Sequence, residues 1–271
     1  MTTFLFWNTN KKPVKEAIAA LVETHMVDVL VLAEFSAGPV ELLQQLNQPG
    51  RPVFHQPYFG SSKNMFFFTR FSSHSLRLVD ETDRVSICRL TLPERLEILL
   101  AAVHFPSKLY WKEESQAIEC TELARAIRLQ EEKAGHNRTA LVGDLNMNPF
   151  ETGLVSAAGL NAVMTRDLAE RRSRTVQSRA YPFFYNPMWS YFGDRHDGPP
   201  GTYYYERSEH VCYFWNVFDQ VLLRPDLMNR CALDGVRILT RAGRLSLLSN
   251  DGKPNAEQAS DHLPLLFELD L

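Results

Sequence analysis

Cysteine is scarce in this chain of 271 residues. Its four cysteines, Cys88, Cys120, Cys212 and Cys231, are scattered and form no C-x-x-C pair. That excludes a cysteine-built zinc site and a disulfide framework, and it predicts reduced, packed thiols in the cytoplasm. No apolar run approaches the roughly 18 residues of a membrane span, so no membrane association is expected. Met1 to Trp7 is a short apolar stretch without a basic lead, so no secretory signal is expected either. Excess basic charge is missing too, since 29 Lys and Arg against 32 Asp and Glu leave a net charge of −3. No broad basic field advertises nucleic-acid binding, although a metal ion can supply positive charge locally. Repeats and low-complexity tracts are absent. What remains is a 45% hydrophobic chain, enough for one large core, and it predicts a single domain over 1–271.

The apolar segments end in a recurring way. Thr139 to Gly143 reads as a buried strand, and Asp144 and Asn146 follow it on alternate residues. In extended backbone, residues two apart point to the same side, so a carboxylate and a carboxamide face one spot. Pro149 blocks continuation of the strand. Thr3 to Trp7 is a strand followed by Asn8-Thr9-Asn10, again with two amides two apart. Val27 to Ala33 is apolar enough to be buried on both faces and stops at Glu34. A carboxylate in that position needs a partner, a metal or water. The spans Arg84 to Leu92 and Leu96 to His104 form an antiparallel hairpin, with His104 at the end of the second strand.

Helical spacing of Val14, Ile18, Leu21 and Val22 predicts an amphipathic helix from Pro13 to about His25. A short helix is expected over Val40 to Leu46, a long one from Glu113 to about Lys133, and a third over Glu151 to Ala158, ended by Gly159. Asn64 to Thr69 is a strand capped by Arg70. Arg171-Arg172-Ser173-Arg174 reads as a basic surface loop. Ala180 to Trp215 is crowded with aromatics around a Gly-Asp-Arg-His-Asp-Gly-Pro-Pro-Gly turn, either a local core or a stacking surface for bases. Val217 to Leu223 is a strand carrying Asp219 among apolar neighbours, and a carboxylate there is normally paired with a donor. Gly235 to Thr240, Arg244 to Leu248 and Leu263 to Leu271 are further strands, the last preceded by Ser260-Asp261-His262.

Taken singly, each of these polar residues has an ordinary structural explanation. Together Asn8, Glu34, His104, Asp144, Asn146 and the Asp261-His262 pair all lie at ends of expected strands, and Asp219 lies within one. A sheet that gathers them at one edge makes a pocket of carboxylates, amides and imidazoles. Oxygen ligands without a thiol cluster suit a hard cation, Mg²⁺ or Mn²⁺. A metal, a water-orienting carboxylate and two imidazoles suit attack on a phosphate ester.

In order and spacing, Trp7-Asn8, Glu34, Val103-His104, Gly143-Asp144-Leu145-Asn146, Asp219 within Phe-Asp-Gln-Val-Leu, and Ser260-Asp261-His262 resemble the endonuclease/exonuclease/phosphatase superfamily, the deoxyribonuclease-I-like group. The resemblance runs from Phe4 to Leu269. It implies an α/β fold, a four-layered sandwich of two mixed central sheets flanked by helices, and a divalent-metal phosphohydrolase. By resemblance, Glu34 is the principal metal ligand with Asn8 beside it on the metal or a phosphate oxygen, and Asp261 supports a second metal. Asp144 orients and activates water, Asn146 donates to a phosphoryl oxygen, and His262 contacts the scissile phosphate with Asp219 fixing its tautomer. His104 donates to the phosphate or protonates the leaving oxygen, and Arg70, Asn10 and Lys108 are further neighbours of the substrate.

One departure narrows the branch. Abasic-site endonucleases of this superfamily carry a tyrosine and a nearby asparagine where this chain has His104-Phe105-Pro106-Ser107. The histidine version resembles the branch of deoxyribonuclease I, sphingomyelinases, inositol-phosphate phosphatases and deadenylases. The expected activity is a nuclease hydrolysing DNA or RNA phosphodiesters. The alternative is a phosphatase or phosphodiesterase of a small nucleotide, an inositol phosphate or a lipid headgroup, and a non-catalytic binding module ranks last. Expected partners are therefore nucleic acid or a phosphorylated small molecule.

Overall fold

The computed structural model describes residues 1–57 and 64–271. Its twelve principal strands are β1 (Thr2–Asn8), β2 (Val29–Ala33), β3 (Met65–Thr69), β4 (Leu76–Glu81), β5 (Val85–Leu90), β6 (Ile98–His104), β7 (Thr139–Asp144), β8 (Ala162–Val163), β9 (Phe184–Tyr185), β10 (Asp219–Leu223), β11 (Val236–Ile238) and β12 (Leu265–Leu269). The larger helices are α1 (Lys15–Thr24), α2 (Pro39–Leu46) and α3 (Glu113–Ala134). One sheet runs β11-β12-β1-β2-β3, with only β1 and β2 parallel. The other runs β4-β5-β6-β7-β10-β9-β8, mixing parallel β6–β7 and β8–β9 pairs with antiparallel ones.

Period-two alternation sorts the side chains into layers. Phe4, Phe6, Val29 and Val31 meet Leu100, Ala102, Val142 and Val221 between the sheets. Their neighbours Leu5, Trp7, Leu30 and Leu32 point outward onto Ile18 and Leu21 of α1 and Leu42 of α2. On the second sheet, Ala101, Val103, Leu141 and Leu222 point outward onto Cys120, Leu123 and Ile127 of α3. The result is a four-layered α/β sandwich of helices, sheet, sheet and helix, as expected. Both faces of each central strand are covered, which explains why these strands read as continuous apolar runs. Cys88, Cys120 and Cys231 are buried free thiols and Cys212 is half-buried. Among the described residues, no helix is long and apolar enough to cross a membrane.

Several boundaries differ from the sequence expectations. Pro13 lies ahead of α1, whose N-cap is Val14. The helix expected over Glu151 to Ala158 is only Thr152–Val155. Strand β4 was not expected, because half of its residues are charged and it lies part-exposed at a sheet edge. The basic run at Arg171 to Arg174 is not a simple loop, since it joins a short helix, Arg166–Glu170, to a surface hairpin of Ser173–Val176 with Arg179–Pro182. The aromatic stretch is divided in use. Phe183, Phe184, Tyr185 and Met188 are core, whereas Tyr203–Tyr205 pairs with Phe214–Asn216 as a separate hairpin beside the strand ends.

The far end of β7 is closed by a buried ion pair. Glu131 of α3 accepts from Arg224 Nε at 2.8 Å and from Thr139 Oγ1 at 2.6 Å. The same guanidinium donates to the carbonyls of Pro182 and Phe183 and lies 3.9 Å from the Phe184 ring centre. Removing one partner strands the other charge in a dry interior. Glu131→Gln is therefore expected to lower the unfolding free energy by about 3 to 5 kcal/mol in urea titrations. A loss below about 1 kcal/mol would show that the pair does not hold α3 to the sheet.

Candidate active site

Strand register assembles the site. In the second sheet His104 of β6 sits beside Asp144 of β7, and Asp144 sits beside Asp219 of β10. Parallel β6 and β7 finish at the same edge, and antiparallel β10 starts there. Asp219 thus opens its strand and does not lie within it, as the sequence had suggested. Gly143 allows this alignment, because a Cβ at that position would collide with the Val103 carbonyl of β6. The first sheet delivers Asn8 from the end of β1 and Glu34 just past the end of β2.

Asp144 is buried and fully engaged. Asn8 Nδ2 donates to its Oδ2 at 2.9 Å, and the Asn146 backbone N–H donates to its Oδ1 at 2.9 Å. Asn8 Oδ1 accepts from the Asn10 N–H at 3.0 Å. Two imidazoles face the same carboxylate, with His104 Nε2 at 3.9 Å and His262 Nε2 at 3.8 Å from Asp144 Oδ2. His104 Nε2 also lies 3.3 Å from Glu34 Oε1. That hydrogen bond holds the Glu34 carboxyl below its ordinary range, against the opposing effect of burial. Glu34, Asn10 and Asn146 all adopt left-handed backbone, at φ of 47°, 46° and 50°. Such conformations in non-glycine residues cluster where a site demands them. Asn146 is therefore not extended, and its Nδ2 donates to the Phe105 carbonyl at 2.9 Å, leaving its second amide hydrogen for the pocket.

His262 is held from both sides. Its Nδ1 is 2.8 Å from Asp219 Oδ2, its backbone carbonyl accepts from Trp7 Nε1, and its N–H donates to Ser260 Oγ. Burial opposes a charged imidazole here, but Asp219, Asp144 and Asp261 outweigh it and raise the His262 pKa to about 10. Burial likewise raises Asp219, opposed by His262, so the pair shares one tightly held proton. The Tyr203 ring centre lies 4.7 Å from that of His262, and burial pushes its phenol up to about 12. Among the described residues, His104 Nδ1 is buried without a hydrogen-bond partner, so its imidazole is held only through Nε2, by Glu34, whereas Asp219 holds His262 at Nδ1.

Asn8, Glu34, His104, Asp144, Asn146 and His262 line one pocket of about 770 Å³, together with Asn10, Lys108 and Asp261, whereas the fully buried Asp219 reaches it only through His262. Arg70 is not among them. β3 runs antiparallel to β2, so its C-terminal end lies at Val29, the opposite edge of the sheet, where Arg70 pairs with Asp28. Buried supports that the sequence did not signal complete the site. Gln116 of α3 donates to the carbonyls of Pro106 and Asn146. Asn148 donates to Asn216 Oδ1 and accepts from the Val217 N–H, and Gln220 donates to the carbonyls of Met147 and Val217. Asn148 falls in the same Asp-Leu-Asn-Met-Asn run, and its alternation with Asn146 was the available signal.

The donor set fits a hard divalent cation. Ligand atoms of Asp144, Asp219 and His262 lie within 4.8 Å of one another. Asp219 and His262 already satisfy each other, so this trio holds a proton. Glu34, part-exposed, lines the pocket with Asn8, which offers a carboxamide oxygen, and Asp261, and these oxygen donors are of the type a hard cation takes.

A sequence model described as the Endonuclease/Exonuclease/phosphatase family matches residues 5–262. A search of curated protein sequences found no match. Among solved structures, a 3′ phosphatase from Neisseria bound to a product DNA hairpin aligns over 100% of both chains at 15% identity and a TM-score of 0.58. A family protein from Leptotrichia buccalis aligns over 100% of both chains at 11% identity and a TM-score of 0.59. An AP endonuclease from Archaeoglobus fulgidus does so at 14% identity and a TM-score of 0.56. At these identities the likeness shows a shared fold.

The raised His262 pKa has a measurable sign. Stability from its charge is complete below the unfolded value of 6.5 and is lost as pH rises through about 10. In chelator, urea midpoints are expected to fall across that window. Asp219→Asn is expected to flatten the fall, because it removes the main anion holding the proton. A wild-type profile parallel to that of the variant would contradict the assignment.

Proposed function

The chain belongs to the endonuclease/exonuclease/phosphatase family, and we propose that it is a divalent-metal-dependent phosphodiesterase, a nuclease hydrolysing DNA or RNA phosphodiester bonds. The observation that carries this reading is the buried Asp144 carboxylate, fixed by Asn8 and faced by two imidazoles over an open pocket. A phosphoester hydrolase needs a base for water, donors for the phosphoryl oxygens and an acid for the leaving oxygen. This site offers each on a different strand end.

Glu34, Asn8 and Asp261 would hold the cation, Mg²⁺ or Mn²⁺. When bound it supplies positive charge to the phosphoryl group and lowers the pKa of water. Asp144 takes the proton of the attacking water as the new O–P bond forms. Its hydrogen bonds from Asn8 and the Asn146 N–H orient the accepting oxygen without consuming all its lone pairs. The charged His262 donates Nε2–H toward the phosphoryl oxygens, because Asp219 occupies Nδ1. Asn146 adds its second amide hydrogen. His104 delivers the proton on Nε2, the nitrogen that faces Glu34 and Asp144, to the leaving oxygen as the old P–O bond breaks.

Some structural neighbours carry nucleic acid, as the Neisseria phosphatase with its DNA hairpin does, and that favours a polynucleotide substrate. Asp144→Asn is expected to lower metal-dependent hydrolysis of an oligonucleotide by about 100- to 10,000-fold, with the circular-dichroism spectrum retained. EDTA is expected to abolish turnover and Mg²⁺ or Mn²⁺ to restore it. Release of inorganic phosphate from a 3′-phosphorylated strand, with internal bonds left intact, would replace the diesterase by a monoesterase. Undiminished turnover in the variant would sink the mechanism.

A further inference from the structure

The pocket has a rim that phosphoester chemistry does not use. Tyr110 is 83% exposed and Tyr213 is 57% exposed, yet both line the pocket, with Trp111 beside the first and Tyr205 near the second. Large apolar groups left in water around a polar floor mark a binding surface. The rings are held in place. Tyr213 meets Phe150 edge-on at 5.3 Å, and Phe150 in turn contacts Phe192 at 5.7 Å. Tyr205 stacks with Tyr203 at 6.4 Å and 18°, and Tyr203 reaches the His262 ring. Tyr205, Tyr203 and His262 therefore form a continuous run of rings to the catalytic histidine, with Tyr213, packed on Phe150, as a second aromatic group on the same pocket wall.

Cations are interleaved with these rings. The Arg207 guanidinium lies 5.1 Å from the Tyr205 ring centre, and Arg84 lines the same pocket. Among the described residues, neither arginine has an ion-pair partner, whereas Lys108 is occupied by Glu151. Free positive charge alternating with ring faces matches a chain in which phosphates alternate with bases. An inositol phosphate has charge but no ring face to stack. A lipid headgroup offers one phosphate and no flat ring. Bases inside a duplex already spend both faces on each other. The pocket volume of about 770 Å³ also suits a few groups at most, within the usual range for small-ligand sites.

We infer that the substrate is a phosphoester carrying unpaired nucleobases, which stack on Tyr110, Trp111, Tyr205 and Tyr213 while Arg84 and Arg207 take its flanking phosphates. The inference rests on the phosphoesterase reading for where the scissile phosphate sits. It assigns to the rim the choice among substrates that the catalytic floor leaves open.

The test is fluorescence anisotropy in EDTA, where no turnover is required. The probes are a labelled single-stranded oligodeoxynucleotide, its blunt duplex, and an abasic strand with the same phosphates. The base-bearing single strand is expected to bind about 5- to 150-fold more tightly than the abasic strand for each stacked base. Tyr110→Ala and Tyr213→Ala are each expected to shrink that preference, and Tyr213→Phe to keep it. Competition by a mononucleotide would assign the site to a free nucleotide, and competition by oligonucleotides alone would assign it to a strand. Both results support stacking of unpaired bases. Equal affinity for base-bearing and abasic strands, preference for the duplex, or binding only to anionic phospholipid vesicles would overturn it. Strand binding without metal-dependent hydrolysis would keep this inference and remove the phosphoesterase reading. Equal kcat/KM on base-bearing and abasic diesters, with metal-dependent turnover, would do the reverse.

Discussion

Everything at the site depends on one register, the alignment of His104, Asp144 and Asp219 across three neighbouring strands. A slip of a single residue would turn Asp144 to the opposite face and put Gly143 or Leu145 in its place. The apolar residues of β7 prevent that slip. Ala140 and Val142 are buried between the sheets, and Leu141 is buried against α3. Each is fully enclosed, so any shift exchanges two packed faces at once. The hydrophobic pattern thus fixes the position of a carboxylate that makes no hydrophobic contact itself. The second sheet then contributes Asn8, whose hydrogen bond to Asp144 joins the two halves of the sandwich at their shared edge.

Much of this was legible because strands betray themselves by composition and their ends by the first polar residue. Asn8, Glu34, His104, Asp144 and His262 were found that way, and the structure brings them into one pocket. The two misplacements have different causes, a strand's boundary for Asp219 and a strand's direction for Arg70. Strand direction is not written in a local pattern. Asp219 reads as interior because Val217 and Phe218 before it are apolar, yet those residues approach β10 without belonging to it. Arg70 follows a strand as convincingly as Glu34 does, but β3 runs the other way and carries it to the opposite edge. The supports were invisible for a different reason. Gln116 lies on an amphipathic helix where a polar residue is unremarkable, and only the approach of α3 to the loops after β6 and β7 gives it two carbonyls to hold.

The aromatic stretch shows composition reaching its limit. Thirteen aromatic residues between Ala180 and Trp215 signalled either a core or a stacking surface. The fold divides them between the core and a half-exposed hairpin, and the division follows the strand pairing. Phe184 and Tyr185 enter the second sheet as β9 and vanish into the core. Tyr203 and Tyr205 enter a hairpin that leans over the strand ends, and their rings stay half-exposed.

The two ends of β7 make the contrast between structural and chemical charge explicit. At Thr139 the buried carboxylate of Glu131 meets a guanidinium and a hydroxyl. Arg224 spends its remaining donors on carbonyls and a ring face. Glu131 and Arg224 are both almost wholly buried and satisfied by protein partners, so the charges hold helix to sheet. At Asp144, five residues along the strand, the carboxylate is just as buried but faces two imidazoles that are not in hydrogen-bond contact with it. One imidazole is pinned and charged by Asp219, and the other is held only by the part-exposed Glu34 at the pocket. A network satisfied at one end makes the strand rigid. A network incomplete at the other end, opening onto a pocket, leaves capacity for a cation, a water and a phosphate. Buried charge alone therefore says little about function; what distinguishes the Asp144 end is the donor and acceptor capacity that the protein leaves unspent.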